Sequence, residues 1–561
     1  MNGSRRRGVA LTLAVATAFL AAVAVAGARP APAHAQGRWL SGDLSTHTFL
    51  TDGKNSQAEI LSNAMPGAPF GYGLSYVANA EPGGQSKTNP EGLKFQLPVW
   101  RWQTLALYSY PHVVQARSDY PGHSIIQGLE WDVPTHGQAD IGIVGGANEP
   151  QGVSNFEYMF DSADTDTSRV GESIPVVLDT TQPSPYPTAI PAQPMDKENV
   201  TASDALNGAA FLENDFPTQS YLVVAHPSRD LNWTVDDLRR LQDAAPDVVC
   251  GFEGFPGDQA AAARGGYGNS FAAVAAGATY PVAVSGPTDP SYSEAETDLA
   301  RTYGGADPMV AKIGGAWDAL LGEGRHWFVY GDSEYKWWTN QYKDAGGNVV
   351  GASYDDFWPG QYDKTWTYAR SDGNDGLVAA IKSGDSFIAN GDLIRALDFH
   401  AALGKKARTM GQTLTVKKGQ RIVLTIAVKS PATNNNGDHV HLSHIDLISG
   451  KITGQAAESN PSAHVVKTFR RSKMRVVKGW RIVTVAFRPQ ASLYFRLRGT
   501  NLAAGTANQT DSAGNPLIDT LTYQTMPNPD PTKTGDVTIN TPDQAWADLW
   551  FYSNPIFVKV K

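Results

Sequence analysis

Five or six times along this chain a short apolar strand stops at an acidic residue or a histidine, and that recurrence constrains the fold more than any other feature. Tyr221-Leu222-Val223-Val224-Ala225 runs into His226-Pro227-Ser228-Arg229. Ser124-Ile125-Ile126-Gln127-Gly128-Leu129 reaches Glu130, and Leu74 to Asn79 is followed by Ala80-Glu81-Pro82-Gly83-Gly84. His326 to Tyr330 is followed by Gly331-Asp332-Ser333-Glu334. The earliest case is Gly42 to Gly53, GDLSTHTFLTDG, where polar residues lead to His47 beside Asp43 and then into a Thr-Asp-Gly turn. Parallel strands alternating with helices gather their C-terminal ends on one face, the mouth of a barrel. His47, Glu81, Glu130, His226, Asp332 and Glu334 are therefore expected to converge there. Imidazole and carboxylate donors at a common mouth are metal-ligand chemistry. Taken singly, each could equally be a hydrogen-bonded or solvated side chain.

Helical stretches separate these strands: Ser56 is placed to cap a helix with Ile60, Leu61 and Ala64 inward, and Asp236 to Asp243 and Trp317 to Leu321 read as helices. Residues 148 to 200, rich in Pro, Ser, Thr and Asp, read as a long surface excursion. Beyond Leu397 the texture changes to alternating strands, among them Ile422 to Val428, His441 to Ile448 and Trp480 to Phe487, separated by turns such as Lys417-Lys418-Gly419-Gln420. That spacing predicts an antiparallel β-sandwich of roughly 150 residues. A chain of 561 residues exceeds what one core usually organises. The expected division is a signal segment over 1–35, an α/β barrel domain over 36–396 and a β-sandwich accessory domain over 397–561.

Arg5, Arg6 and Arg7 precede an apolar run from Val9 to Ala26, and Ala33-His34-Ala35 supplies a small-x-small cleavage site. Export follows, by the general secretory or the twin-arginine route. A membrane anchor is the competing possibility, disfavoured by Pro30 and Pro32. Cys250 is the one cysteine, so no intramolecular disulfide forms, and its apolar neighbours Val248, Val249 and Phe252 mark a buried inert thiol. A net charge of −9 argues against a nucleic-acid partner. Nothing in the sequence sets the oligomeric state.

These strand ends also resemble, in order and context, the motifs of the PHP (polymerase and histidinol phosphatase) superfamily. GDLSTHTFLTDG is similar to its first Asp-Leu-His-x-His-Thr motif, ANAEPGG falls where a Thr-Asp-His-like motif belongs, and Glu130 matches the glutamate after the third strand. His226-Pro227 matches a later His-Pro motif and Gly331-Asp332-Ser333-Glu334 the final Ser-Asp-x-His motif. The resemblance spans about residues 38 to 395. It implies a distorted (β/α)₇ barrel that binds divalent metals (Mn, Mg, Zn or Fe) and hydrolyses a small-molecule or polymer phosphoester with a metal-bound hydroxide. It also implies metal ligation by His47, Glu81, Glu130, His226 and Asp332. The chain departs from the pattern at Ser45, at Glu81 or Pro82, and at Glu334, each in the place of an imidazole. Glu334, and Asp258 where a family histidine is plausible, stay open between ligation and simple replacement. More carboxylates favour harder ions. The alternative is a catalytically degenerate barrel that binds a ligand or a cell surface.

Arg229, Arg264 and Lys364 are candidates for holding a phosphate, with surface charge pairing as the alternative. His136 follows Val133-Pro134-Thr135 on a loop. Phe357-Trp358-Pro359-Gly360, Trp337 and Trp338 line a cleft or pack in the core. The spacing of His439, His441 and His444 would place two imidazoles on one strand face. The run from Arg470 to Arg481 carries six Lys and Arg, expected to guard a sheet edge or bind an anionic polymer.

Overall fold

The computed structural model describes residues 37–66, 71–145, 149–167, 196–229, 232–260, 264, 301–336, 341–343, 349–352, 356–519, 523–527, 536–540 and 543–561. Residues 1–36, where the signal segment is expected, the whole stretch from 168 to 195, Trp337 and Trp338 lie outside them, as does the side chain of Asp258. The described residues form a mixed α/β structure with one large mixed sheet and separate antiparallel sheets.

The N-terminal part of the large sheet is built from strands β1 (Arg38–Thr46), β2 (Tyr76–Asn79), β3 (Ser124–Asp132), β4 (Gln138–Ile143), β5 (Ser220–Val224), β6 (Val249–Phe255) and β7 (Phe328–Gly331), in that order. Their residues are almost all buried, so both faces of this part of the sheet are covered. β1, β2 and β3 run parallel, as do β5, β6 and β7. β4 is inserted antiparallel between β3 and β5. Val133-Pro134-Thr135-His136-Gly137 is a hairpin turn closed by the Val133 N–H to the Gly137 carbonyl at 3.0 Å. His136 is used up there, stacked on Trp233 with ring centroids 4.5 Å apart.

Local capping chemistry sets several helix starts. Ser56 with Glu59, Thr201 with Asp204 and Thr234 with Asp237 each form a reciprocal capping box. The helix Gln57–Ala64 turns Ile60, Leu61 and Ala64 inward as its spacing predicts. Residues 149–160, expected on a surface excursion, instead form the helix Glu149–Phe160. Val153, Phe156 and Phe160 recur on one face of it and join the main core with Trp131 and Leu212. The Pro and Ser content that suggested a loop lies further on, beyond residue 167.

The backbone beyond β7 returns to β1. The Tyr335 carbonyl accepts from His47 N–H at 2.7 Å, and Tyr335 N–H donates to the Ser45 carbonyl at 3.3 Å. On the other side of β1, β8 (Asp363–Ala369) and β9 (Ser386–Asn390) continue the sheet antiparallel. The Thr365 hydroxyl on β8 donates to the Gly331 carbonyl at 2.7 Å and accepts from its N–H at 2.8 Å.

The strands beyond Leu397 lie close to their expected positions, but they do not all stand apart from the first sheet. Trp550–Ser553 pairs with β9, and Leu493–Thr500, Ile556–Val560, Thr413–Val416 and His444–Lys451 extend the same sheet. A separate five-stranded sheet includes Ala396–Leu403, Ile422–Lys429 and Trp480–Phe487. Leu424, Ile426 and Phe399 from it share a second core with Phe387, Leu447, Leu497 and Phe551 from the large one.

Buried charges mark this seam. The Arg264 guanidinium donates to the carbonyls of Asp548 and Ala545 at 2.9 and 3.1 Å. Trp550 Nε1 donates to the Asp548 carboxylate at 2.5 Å. Burial, opposed by Arg264 and aided by Asp519, pushes the Asp548 carboxyl up to about 7. From its ordinary 3.8 to about 7 the folded chain therefore holds a proton that the unfolded chain has released, so this group makes stability fall as pH rises across that window. In Asp548→Asn, the fall in melting temperature between about pH 4 and 7 is expected to be shallower. Superimposable pH profiles for the two proteins would rule this out.

Candidate metal centre

Five acids and two histidines, all but Asp140 at or near the C-terminal ends of strands of this sheet, make two abutting buried groups. Glu130 near the end of β3, His226 just past β5 and Glu334 past β7 each offer a ligand atom, and these atoms lie within 4.8 Å of one another. His226 Nε2 is 3.4 Å from Glu130 Oε1 and 3.8 Å from Glu334 Oε1. His47, one residue past β1, approaches Glu130 from the other side, with Nε2 at 3.5 Å from Oε2. Asp140 on β4, Glu253 on β6 and Asp332 past β7 form the second group at the same spacing. One short bond joins the two groups, from the His226 N–H to Glu253 Oε2 at 2.6 Å.

The supporting contacts set the orientation of these side chains. Asp52 Oδ1 lies 2.8 Å from His47 Nδ1, which turns Nε2 toward Glu130. Asp43 accepts from the N–H groups of Ser45 and Ser333, tying the end of β1 to the segment after β7. His226 and Glu334 both have positive φ, 28° and 45°. Non-glycine residues there carry roughly 1–3 kcal/mol of strain each, a cost that gathers at binding sites. Gly257 makes room for the second of them, because a Cβ at that position would collide with the Cβ of Glu334.

The electrostatics are those of an unneutralised acid cluster. Burial first, then the neighbouring Glu253 carboxylate, pushes Asp140 and Asp332 well above the usual carboxylate range. Burial likewise raises Glu253, against the opposing charge of His226. Burial alone would depress the His47 imidazole, but Asp52 and Glu130 outweigh it and bring it up to about 9. Glu334 goes the other way: against burial, Arg229 and Lys336 hold it well below the usual range. Both carboxylate oxygens of Asp140 and of Asp332, Oε1 of Glu253 and Nε2 of His47 are buried with no hydrogen-bond partner. Orphaned buried donor atoms of this kind call for a further group. The donor set of imidazoles with carboxylates suits Mn²⁺, Fe²⁺ or Zn²⁺, and the carboxylate triad suits Mg²⁺ or Mn²⁺. The residues present thus fit divalent metal.

Of the residues singled out from sequence, His47, Glu130, His226, Asp332 and Glu334 are brought together. Glu81 is buried nearby, but its oxygens accept from Thr48 Oγ1 and Thr51 Oγ1, each at 2.5 Å, and from Thr48 N–H at 3.2 Å. Its place is that of a brace for the loop after β1. Ser45 is buried with its hydroxyl unpartnered. Asp258 has its backbone in the short helix Gly257–Ala260, and its side chain lies outside the described residues.

The three candidate phosphate cations divide. Arg229 lies at the cluster, its guanidinium forked onto both oxygens of Glu334. Arg264 instead lies in the buried seam with Ala545 and Asp548. Lys364 is buried with its ammonium 2.9 Å from Asp392. For both, burial among carbonyl or carboxylate partners replaces the expected phosphate contact. His439 and His441 precede the strand His444–Lys451, so strand alternation does not bring the three C-terminal histidines to one face.

Asp140 and Glu253 were not singled out from sequence. Glu253 obeys the same rule as Glu130, an acid directly after an apolar run (Val248 to Phe252). Asp140 breaks an otherwise apolar strand, Ala139 to Val144, and a lone acid in that setting was the available signal. The chain matches no protein-family model and no curated protein.

Proposed function

We propose that this chain is a divalent-metal-dependent phosphoesterase, its first sheet curled into a distorted PHP-type barrel and its C-terminal strands packed as a β-sandwich, exported through its N-terminal signal. The observation that carries the reading is the pair of buried ligand groups, Glu130/His226/Glu334 and Asp140/Glu253/Asp332, with orphaned donor atoms at converging strand ends. Support for the barrel comes from the return of Tyr335 to β1.

Glu130, His226, Glu334 and His47 would hold one ion, and Asp140, Glu253 and Asp332 another. When bound, such ions lower the pKa of water and neutralise charge on a phosphoryl group. The chain's own residues do the positioning. Asp52 holds the His47 ring, Thr48 and Thr51 hold Glu81 beneath the loop, and Glu253 anchors the backbone of His226. Arg229 and Lys336, its ammonium 2.8 Å from Glu334, put two cations at the edge of the cluster to orient an anionic ester. A second reading, a binding protein without turnover, is favoured by those same contacts, because they engage Glu334 before any metal arrives.

Metal analysis after supplementation with Mn²⁺, Zn²⁺ and Mg²⁺ is expected to find at least one ion per chain. Hydrolysis of p-nitrophenyl phosphate or its bis-ester should then be abolished by chelation and restored by metal. Less than one ion per chain would sink both the metal centre and the enzyme. Bound metal without hydrolysis of either ester would leave the binding protein.

A further inference from the structure

Away from the strand-end cluster, the C-terminal part of the chain holds a hollow of about 950 Å³. Arg470, Arg471 and Arg481 line it, together with His441, Ser443 and Ser472. Arg470 and Arg471 end one strand and open a short 3₁₀ turn, and Arg481 comes from Trp480–Phe487 in the other sheet. The charge is therefore assembled from both sheets. Among the described residues no carboxylate lies within ion-pair distance of these three arginines. Two acids beside the lining are already engaged: Asp446 pairs with Arg498 at 3.0 Å and accepts from Thr468 at 2.6 Å. Asp511 is occupied by N–H groups of its own loop.

The cations also act on one another. Burial and then the charge of Arg471 pull Arg481 below its ordinary value, and His441 is depressed by burial and by Arg471 and Arg481. His441 accordingly accepts, through Nδ1, a hydrogen bond from Arg471 Nη1 at 2.7 Å. On a chain of net charge −9, uncompensated cations facing a common hollow are a local inversion of sign. A solvated sheet edge has no need of a cavity.

We propose that this hollow binds a linear polyanion through its sulfate or phosphate ester groups. Planar guanidinium forks match tetrahedral oxyanions in paired hydrogen bonds, and the Ser443 and Ser472 hydroxyls add neutral donors. The volume is at the upper end of ordinary ligand clefts, enough for several units of a chain and far more than one free ion requires. The site is independent of the metal centre, and its success or failure leaves that reading untouched.

The test uses the full chain and immobilised dextran sulfate, inorganic polyphosphate, polygalacturonate and unmodified dextran at graded salt. Binding to dextran sulfate, polyphosphate or both is expected, falling steeply with salt as counterion release requires, with the stronger arm naming the ester. The double variant Arg471→Ala/Arg481→Ala should bind at least about tenfold more weakly and show a shallower salt slope. Arg471→Lys/Arg481→Lys, which keeps charge and loses the fork, should fall between. Lys405→Ala/Lys406→Ala, on an exposed hairpin elsewhere, should bind as the unmodified chain does. No binding to either ester polymer at low salt, equal binding to polygalacturonate, or an equal loss in the Lys405/Lys406 variant would each overturn the proposal.

Discussion

Replacing His226 with alanine is expected to remove at least one divalent ion per chain and to lower phosphoester hydrolysis about 10³-fold or more, roughly 4 kcal/mol of barrier. The imidazole stands between Glu130 and Glu334, at 3.4 and 3.8 Å. Without it the two carboxylates face each other with no donor between them, and an ion there would lose both a ligand and its geometry. Glu81→Gln makes the comparison informative, since Glu81 contacts threonine hydroxyls and orients the loop behind His47. Outer supports of this kind typically cost 10–100-fold. The expected order is therefore His226→Ala well below Glu81→Gln, with metal content following the same order. Unchanged metal content in His226→Ala, with a normal melting profile, would place the centre elsewhere.

The largest effect on stability is expected at Asp318→Asn. Asp318 lies on the helix Ala316–Glu323 and receives both Nε and Nη2 of Arg496 at 2.8 Å, with the Tyr494 hydroxyl at 2.8 Å on the same carboxylate. Both charged side chains are wholly buried, and the guanidinium also lies 4.5 Å over the Trp317 ring. Neutralising the acid strands the Arg496 charge in the core, which costs about 3–5 kcal/mol. The double replacement Asp318→Leu/Arg496→Met removes both charges and should recover most of that loss, because well-packed apolar pairs rival buried ion pairs. Urea midpoints separate the cases. A single-variant loss below about 1 kcal/mol would mean that water reaches Arg496, contrary to its complete burial.

The candidate site was legible to the extent that a local rule reached it. Glu130, His226 and Asp332 each follow an apolar run within one or two residues, so short-range pattern carried them. Asp140 escaped because its strand is antiparallel, so its acid projects from mid-strand where no terminus draws attention. Glu81 matched the rule and the burial, yet what its oxygens touch depends on Thr48 and Thr51 folding back, which strand pattern cannot encode. Arg264 and Lys364 failed for a different reason. Arg264 follows four alanines and Lys364 lies between Asp363 and Thr365; neither context specifies burial, which is imposed by chain further off: Ala545 and Asp548 for one, the turn carrying Asp392 for the other. The helix Glu149–Phe160 was hidden by the composition of the residues after it.

The pairing of β9 with Trp550–Ser553 has a bearing on how the polypeptide must be made. Asn390 and Trp550 hydrogen-bond across 160 positions, so during synthesis the edge at Ser386–Asn390 stays open until that much further chain has been made. An unpaired apolar edge is a template for association between molecules, and contacts this distant in sequence form slowly. Emerging chains are thus most exposed to aggregation late, after β1 to β9 have been made. A strand-length peptide copying Trp550–Ser553 and its flanks would compete for that edge during refolding while leaving the finished protein untouched.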